Sequence, residues 1–150
     1  MQSPIEVPAS AALTPDQLEE KLRTVGIARY HIHHPFHKLM NAGELTKGQM
    51  QAWALNRFCY QSIIPKKDAI ILSKSDDPAF RREWRKRIID HDGDEDASGG
   101  MAKWLQLAKS LGLDTDIVAS QKLALPATRF AVNAYLDLVT NEPLMVGVAS

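Results

Sequence analysis

Four histidines fall within seven positions in Tyr30-His31-Ile32-His33-His34-Pro35-Phe36-His37, and that density raises metal binding as a first possibility. His33 and His37 have the four-residue separation of a helical ligand pair. Pro35 works against it. Proline favours the first helical position and drives the preceding residue into extended backbone, so His33 precedes the helix rather than lying one turn below His37. No His-Glu-x-x-His sequence and no Glu-x-x-His pair occurs in the chain, which leaves a zinc-protease or ferritin-like di-iron site without support. No metal ligands are assigned, and three of these histidines are expected as surface or capping groups.

Two further sets of residues combine chemistry with helical spacing. Trp53, Arg57, Tyr60, Gln61 and Ile64 recur at steps of three and four and share one helix face. A buried polar group without a partner costs about 1–3 kcal/mol, so that mixture reads either as the lining of a cavity or as a helix whose Arg57 and Gln61 face water. Trp84, Arg87, Ile88 and His91 also align, which puts Arg87 and His91 on or beside an apolar stripe. Either an internal salt bridge to an acidic neighbour or a functional pair would account for them. The acidic run Asp90-His91-Asp92-Gly93-Asp94-Glu95-Asp96 resembles calcium ligands, but the glycine and glutamate spacing of an EF-hand is missing.

The elements that must carry these residues are helices. Met1 to Leu13 holds two prolines and two serines among small residues and is expected to be a flexible N-terminal arm (residues 1–13). Thr14, Pro15 and Gln17 form a helix start with a capping box, with Leu18, Leu22 and Val25 as the apolar stripe and Gly26 as the expected stop. A short helix from Pro35 ends near Gly43, whose freedom suits a left-handed terminus. Thr46 and Gln49 open the next helix, which Pro65 is expected to kink before it continues to about Ser73. Asp77 and Pro78 start the basic helix through His91, and Ser98 is expected to cap a helix with Met101, Trp104, Leu105, Ala108 and Leu111 on its inner face. Asp114 caps a short helix, and Pro126 opens one in which Phe130, Ala131, Ala134, Tyr135 and Leu138 are expected to point inward. The apolar run from Leu144 to Ser150 has no polar closing signal. With no alternating strand pattern, repeat or Gly-rich phosphate loop, the expected class is an all-α bundle of about seven helical segments.

Composition bounds the function. Eighteen basic residues balance eighteen acidic ones, which excludes a broad electrostatic footprint for nucleic acid or an anionic membrane. Forty-five per cent hydrophobic content over 150 residues is enough for one core. The single cysteine, Cys59, excludes an intrachain disulfide, fits a reducing compartment and is expected as a small buried hydrophobe. Without a membrane-length apolar run or a secretory leader pattern, a soluble cytoplasmic protein is expected.

The histidine-rich run, Asn56-Arg57-Phe58-Cys59-Tyr60-Gln61 with Ile64-Pro65-Lys66-Lys67-Asp68, Arg87-Ile88-Ile89-Asp90-His91-Asp92-Gly93 and Arg129-Phe130-Ala131-Val132-Asn133-Ala134-Tyr135 together resemble the pyrroloquinoline-quinone synthase (PqqC) family. The resemblance runs from about Thr14 to Ser150, so residues 14–150 are expected to form the N-terminal part of such a domain. It implies a haem-oxygenase-like helical bundle without haem, here apparently truncated. It further implies an oxidase with neither metal nor organic cofactor, closing a ring on the precursor AHQQ and oxidising it with O2 to pyrroloquinoline quinone (PQQ) with release of H2O2. Family members are typically homodimers, so the resemblance implies a homodimer for the full-length protein. By residue-by-residue transfer, the resemblance implies His91, His31, Arg87 and Tyr135 as catalytic and Tyr30, Arg57, Tyr60, Gln61 and Lys67 as substrate-binding. Cys59 takes a place that is commonly aromatic, and Asp94 to Ser98 departs from the family's histidine- and glycine-rich loop. Family members continue beyond Ser150, so the fragment is expected to be poorly active or inactive by itself. Two readings from other classes stay open: a related enzyme acting on thiamin-type pyrimidines or through a di-metal centre, and a non-catalytic quinone-binding protein.

Overall fold

The computed structural model describes residues 12–95 and 98–150. Most of the expected N-terminal arm therefore lies outside the described residues. The chain divides into two compact units, Met1–Leu45 and Thr46–Ser150, each taken by itself below. Among the described residues every regular element is helical, as the absence of strand patterning requires.

The first unit carries α1 (Pro15–Arg29), a 3-10 turn (His31–His33) and α2 (Pro35–Ala42). Thr14 caps α1 by the expected capping box: its hydroxyl accepts from the Gln17 N–H at 3.2 Å and the Gln17 side chain accepts from the Thr14 N–H at 2.9 Å. Gly26 does not end the helix. A glycine inside a helix costs only about 1 kcal/mol against alanine, and the chain turns away four residues later, where Tyr30 is extended and its N–H still reaches the Gly26 carbonyl. α2 begins at Pro35, as expected, and ends at Gly43 in the left-handed region at φ 72°.

The second unit contains α3 (Lys47–Gln61), α4 (Ile64–Ser73), α5 (Pro78–Asp92), α6 (Gly100–Ser110), α7 (Thr115–Ser120), α8 (Pro126–Asn141) and α9 (Leu144–Ala149). Thr46 and Gln49 cap α3, Asp77 caps α5 and Asp114 caps α7, each through the side chain the sequence indicates. Pro65 does not kink a continuous helix. The chain breaks at Ser62 and Ile63 and restarts at Ile64, with Pro65 in the first turn of α4, where its missing N–H would have had no partner. Gly99, not Ser98, takes the N-cap position of α6. The terminal apolar run forms α9, a helix not anticipated from the sequence. In all, the described residues hold nine α-helices rather than about seven segments.

α3 separates two parts of the core. Phe58 packs with Ala108 and Val118, joined by Met101, Trp104, Leu105 and Leu113. Its neighbour Cys59 points the other way, to Ile63, Ala124 and Val132, joined by Leu55, Tyr60 and Tyr135. Burying a side chain of the size of Phe58 or Ile71 contributes about 1.5–3 kcal/mol. Trp104 adds direction by donating its indole N–H to the Ala54 carbonyl at 2.9 Å. α4 is covered by α5, α8 and α9, and Gly147 lets α9 approach Ile71 and Val139 closely.

The inward stripe of α8 is turned from the expected one. Val132 and Val139 are buried and Tyr135 is half-buried, whereas Phe130 is 75% exposed and Ala131, Ala134 and Leu138 are also exposed. The Val132–Val139 face lies where α3 and α4 supply apolar partners, which periodicity within α8 does not reveal.

Candidate functional site

The second unit holds a carboxylate wholly removed from solvent. Asp68 follows Ile64 by one helical turn and precedes Ile71 by another, so it occupies the buried face of α4. Lys67, also buried, places Nζ 2.8 Å from Asp68 Oδ1. From α5, Arg87 brings Nε to 3.3 Å from both Asp68 oxygens. Removing one partner of a buried ion pair typically costs about 3–5 kcal/mol, because the remaining charge is left uncompensated. Two cations on one carboxylate leave one positive charge over. The half-exposed Arg87 spends only Nε on Asp68, which leaves its terminal nitrogens available at the surface.

Aromatic rings flank these cations. Arg87 lies 4.9 Å and Lys67 Nζ 5.9 Å from the centroid of Trp84, and Lys67 Nζ is also 5.9 Å from the Tyr135 ring. Tyr135 stacks on Tyr60 at 6.1 Å, and Arg57 covers the outer part of that pair at 4.3 Å from the Tyr60 centroid. The result is a row of planar and cationic groups contributed by α3, α4, α5 and α8. The buried Trp84 Nε1 has no hydrogen-bond partner among the described residues.

His91 lies one turn beyond Arg87 on α5. Its Nδ1 is 3.0 Å from the Arg87 carbonyl, and because a carbonyl oxygen only accepts, Nδ1 carries the hydrogen and Nε2 is left as the nitrogen that takes or gives a proton. The start of α6 presses against this end of α5. A Cβ placed on Gly100 would meet His91 Cδ2 at 3.6 Å, and one on Gly99 would fall 2.3 Å from Gly93 N and 2.4 Å from the His91 carbonyl oxygen. Only glycine at position 99 lets α6 reach the turn that carries His91.

In the first unit, Tyr30, His31 and His37 form a small ring cluster, with centroids 4.2 Å apart for Tyr30 and His31 and 4.4 Å for His31 and His37. Tyr30, His31, His33 and His34 are exposed. His34 caps α2, its Nδ1 accepting from the Phe36 N–H at 3.2 Å, as the capping reading expects. Among the described residues, no group of three or more His, Cys, Asp or Glu side chains is placed to hold a metal ion.

The residues singled out from the sequence thus divide. Arg57, Tyr60, Lys67, Arg87 and Tyr135 come together in the second unit, and His91 joins them through the Arg87 backbone. Gln61 is half-buried at the last residue of α3, whereas Tyr30 and His31 belong to the first unit. Of the two readings of the α3 face, exposure of Arg57 holds: the helix buries Ala54, Phe58 and Cys59, and Arg57 lies outside across Tyr60. The salt-bridge reading of Arg87 also holds, with Asp68 as the acidic neighbour. Asp68 is not among the residues singled out from the sequence, although its spacing between Ile64 and Ile71 is a usable signal of its burial. Cys59 is buried as expected, and that burial raises its thiol pKa above the ordinary value, with Arg129 pulling weakly the other way.

Comparison with known proteins bears on this arrangement. Pyrroloquinoline-quinone synthase of Acidiphilium cryptum is 56% identical over 138 residues, spanning 92% of this chain and 56% of that protein. The proteins of the same name from Xanthomonas oryzae pv. oryzae and Xanthomonas campestris pv. campestris are 55% and 54% identical over 141 residues, spanning 94% of this chain and 56% of each relative. The chain therefore spans a little over half the length of these relatives. The model of the TENA/THI-4/PQQC family matches residues 19–150. With the four motifs, an all-α haem-oxygenase-like fold class and that match in agreement, the chain belongs to the TENA/THI-4/PQQC family.

Proposed function

We propose that the protein carries out the pyrroloquinoline-quinone synthase reaction: ring closure and O2-dependent oxidation of AHQQ to PQQ, with H2O2 released and no metal or organic cofactor. The observation that supports this most is the Lys67–Asp68–Arg87 group with its surplus positive charge beside the rings of Trp84, Tyr135 and Tyr60. A flat quinone bearing several carboxylates calls for fixed cations and π-surfaces at once. The 54–56% identity to proteins named for this reaction points the same way.

In this reading Arg57, Lys67 and Arg87 hold substrate carboxylates, while Tyr30, Tyr60 and Gln61 orient the ring system. His91 Nε2 takes a proton from carbon, and His31 and Tyr135 serve proton delivery to reduced oxygen. Deprotonation leaves an electron-rich, quinol-like anion. Each oxidation step passes two electrons and two protons from the substrate to O2, forming one H2O2, and the protein's part is to stabilise the anion and move the protons. The protein is read as a cytoplasmic homodimer. No described helix is long and apolar enough to cross a membrane.

The test is to mix protein and AHQQ anaerobically, record the quinone absorbance, and then admit O2. PQQ and H2O2 formed together support the proposal, and His91→Asn is then expected to bind AHQQ while slowing turnover by about 10²–10⁴-fold. Binding with no O2 uptake, both by this chain and by a version extended to the full length of its relatives, would replace it with the quinone-binding reading. No binding would overturn it and return the thiamin-type and di-metal alternatives to the front.

A further inference from the structure

We infer that Asp68 is a positioning residue that holds Lys67 and Arg87 toward an anionic ligand and stays engaged with them when the ligand is bound. This rests on the proposed quinone chemistry and adds to it a residue assigned no role there. Three observations carry it. First, Asp68 is 0% exposed, so its carboxylate has these two cations, and not water, as its partners. Second, Lys67 Nζ at 2.8 Å and Arg87 Nε at 3.3 Å both reach Asp68 Oδ1, and Arg87 Nε is equally 3.3 Å from Oδ2, so one carboxylate ties a side chain of α4 to one of α5. Third, the contact uses only the inner nitrogen of Arg87, whose side chain is 49% exposed. The outer fork of the guanidinium, the part suited to a bidentate grip on a ligand carboxylate, is thereby left in place and unspent.

The alternatives make different forecasts. If Asp68 served only to cancel charge, removing it would strengthen the attraction for anions. If it served only packing, its loss would weaken every ligand alike. As a positioning residue its loss weakens carboxylate ligands selectively, because Lys67 and Arg87 lose the acceptor that fixes their direction. An amide oxygen in the place of Oδ1 would still serve both donors, although its NH2 would then oppose Arg87 Nε. Asn is therefore expected to rescue part of what Ala loses.

The experiment compares binding of PQQ and of its trimethyl ester to wild type, Asp68→Ala and Asp68→Asn, with circular dichroism melts to confirm folding. Asp68→Ala should bind PQQ about tenfold or more weaker, with the ester little changed, and Asp68→Asn should fall between. Equal losses for both ligands, tighter PQQ binding in either variant, or no change would each overturn the inference while leaving the functional reading intact. A wild type that does not bind PQQ would remove that reading, and the inference with it. A measurement on wild type keeps the test independent of variant folding: the Arg87 Nε–H, followed by 15N NMR, should remain protected from exchange when PQQ is bound. Loss of that protection on binding would show Arg87 leaving Asp68 and would also overturn it.

Discussion

Replacing Gly99 by alanine tests the link between packing and the proposed proton-transfer group. The added Cβ would lie 2.3 Å from Gly93 N, 2.4 Å from the His91 carbonyl oxygen and 2.6 Å from the Asp92 carbonyl carbon. All three are backbone atoms at the end of α5, so no side chain can rotate away. The nearest contact is about 1 Å short of ordinary van der Waals distance, and α6 must retreat or the last turn of α5 must open. Overpacking of this kind costs about 1–3 kcal/mol, set against at most about 1 kcal/mol gained by restricting the unfolded chain. At roughly 2–4 °C per kcal/mol for a chain of this size, the melting temperature should fall by several degrees. His91 shares that turn, and its Nδ1–H bond to the Arg87 carbonyl should loosen with it. An ångström of misplacement can cost about 10²-fold in rate, so single-turnover oxidation should slow more than ligand binding weakens. Gly48→Ala in the first turn of α3 is the control. Nothing lies within 4 Å of its Cβ position, and it should stabilise by about 0.4–1 kcal/mol. A Gly99→Ala protein that melts with wild type and retains its turnover would refute the argument that this close approach positions His91.

Two further predictions concern the core. Trp104→Phe loses the indole bond to the Ala54 carbonyl, while Trp84→Phe removes a buried donor that has no partner among the described residues. Urea unfolding should therefore show Trp104→Phe to be the more costly change by about 1 kcal/mol, and the reverse order would contradict the assigned hydrogen bonding. For Cys59, burial holds the thiol proton to higher pH in the folded protein than in the unfolded chain, so its contribution to stability is unchanged near neutrality and declines as pH rises past the ordinary thiol pKa. A disulfide reagent such as Ellman's should label the folded protein slowly even at alkaline pH and rapidly in denaturant. Rapid stoichiometric labelling of the native protein at pH 8 would show the thiol to be accessible.

Helix starts were the most legible part of the fold because their cause is local. Thr14, Thr46, Asp77 and Asp114 each satisfy nearby backbone N–H groups through atoms only two or three residues away, and all four caps occur as read. Helix ends and junctions were less so. Gly26 is compatible both with ending a helix and with continuing one, and Pro65 both with a kink and with a new first turn, so tertiary packing decides between them. The cations of the candidate site were visible as charges at helical spacing, but their counter-ion was not singled out. An aspartate beside Lys66 and Lys67 in sequence has the appearance of a solvated charge run. Only the register that sets Asp68 between buried Ile64 and Ile71 distinguishes it from one.

α8 shows why periodicity alone could not finish the description. Phe130, Ala131, Ala134 and Leu138 form one apolar stripe, and Val132, Tyr135 and Val139, with Leu136 beside them, form another. A helix apolar over so much of its circumference has no unique inner face, and the choice falls to whatever neighbours supply matching partners. Here α3, α4 and the break between them supply partners, through Cys59, Ile71 and Ile63, and they select the valine face. Tyr135 sits where the two descriptions overlap. Its ring reaches Tyr60 from α3 and the Lys67 ammonium from α4 even though the rest of the expected stripe turns away. A site residue placed at the margin between two possible faces survives a rotation error that removes Phe130, Ala131, Ala134 and Leu138 from the core, which is why the candidate site was more legible than the helix that carries it.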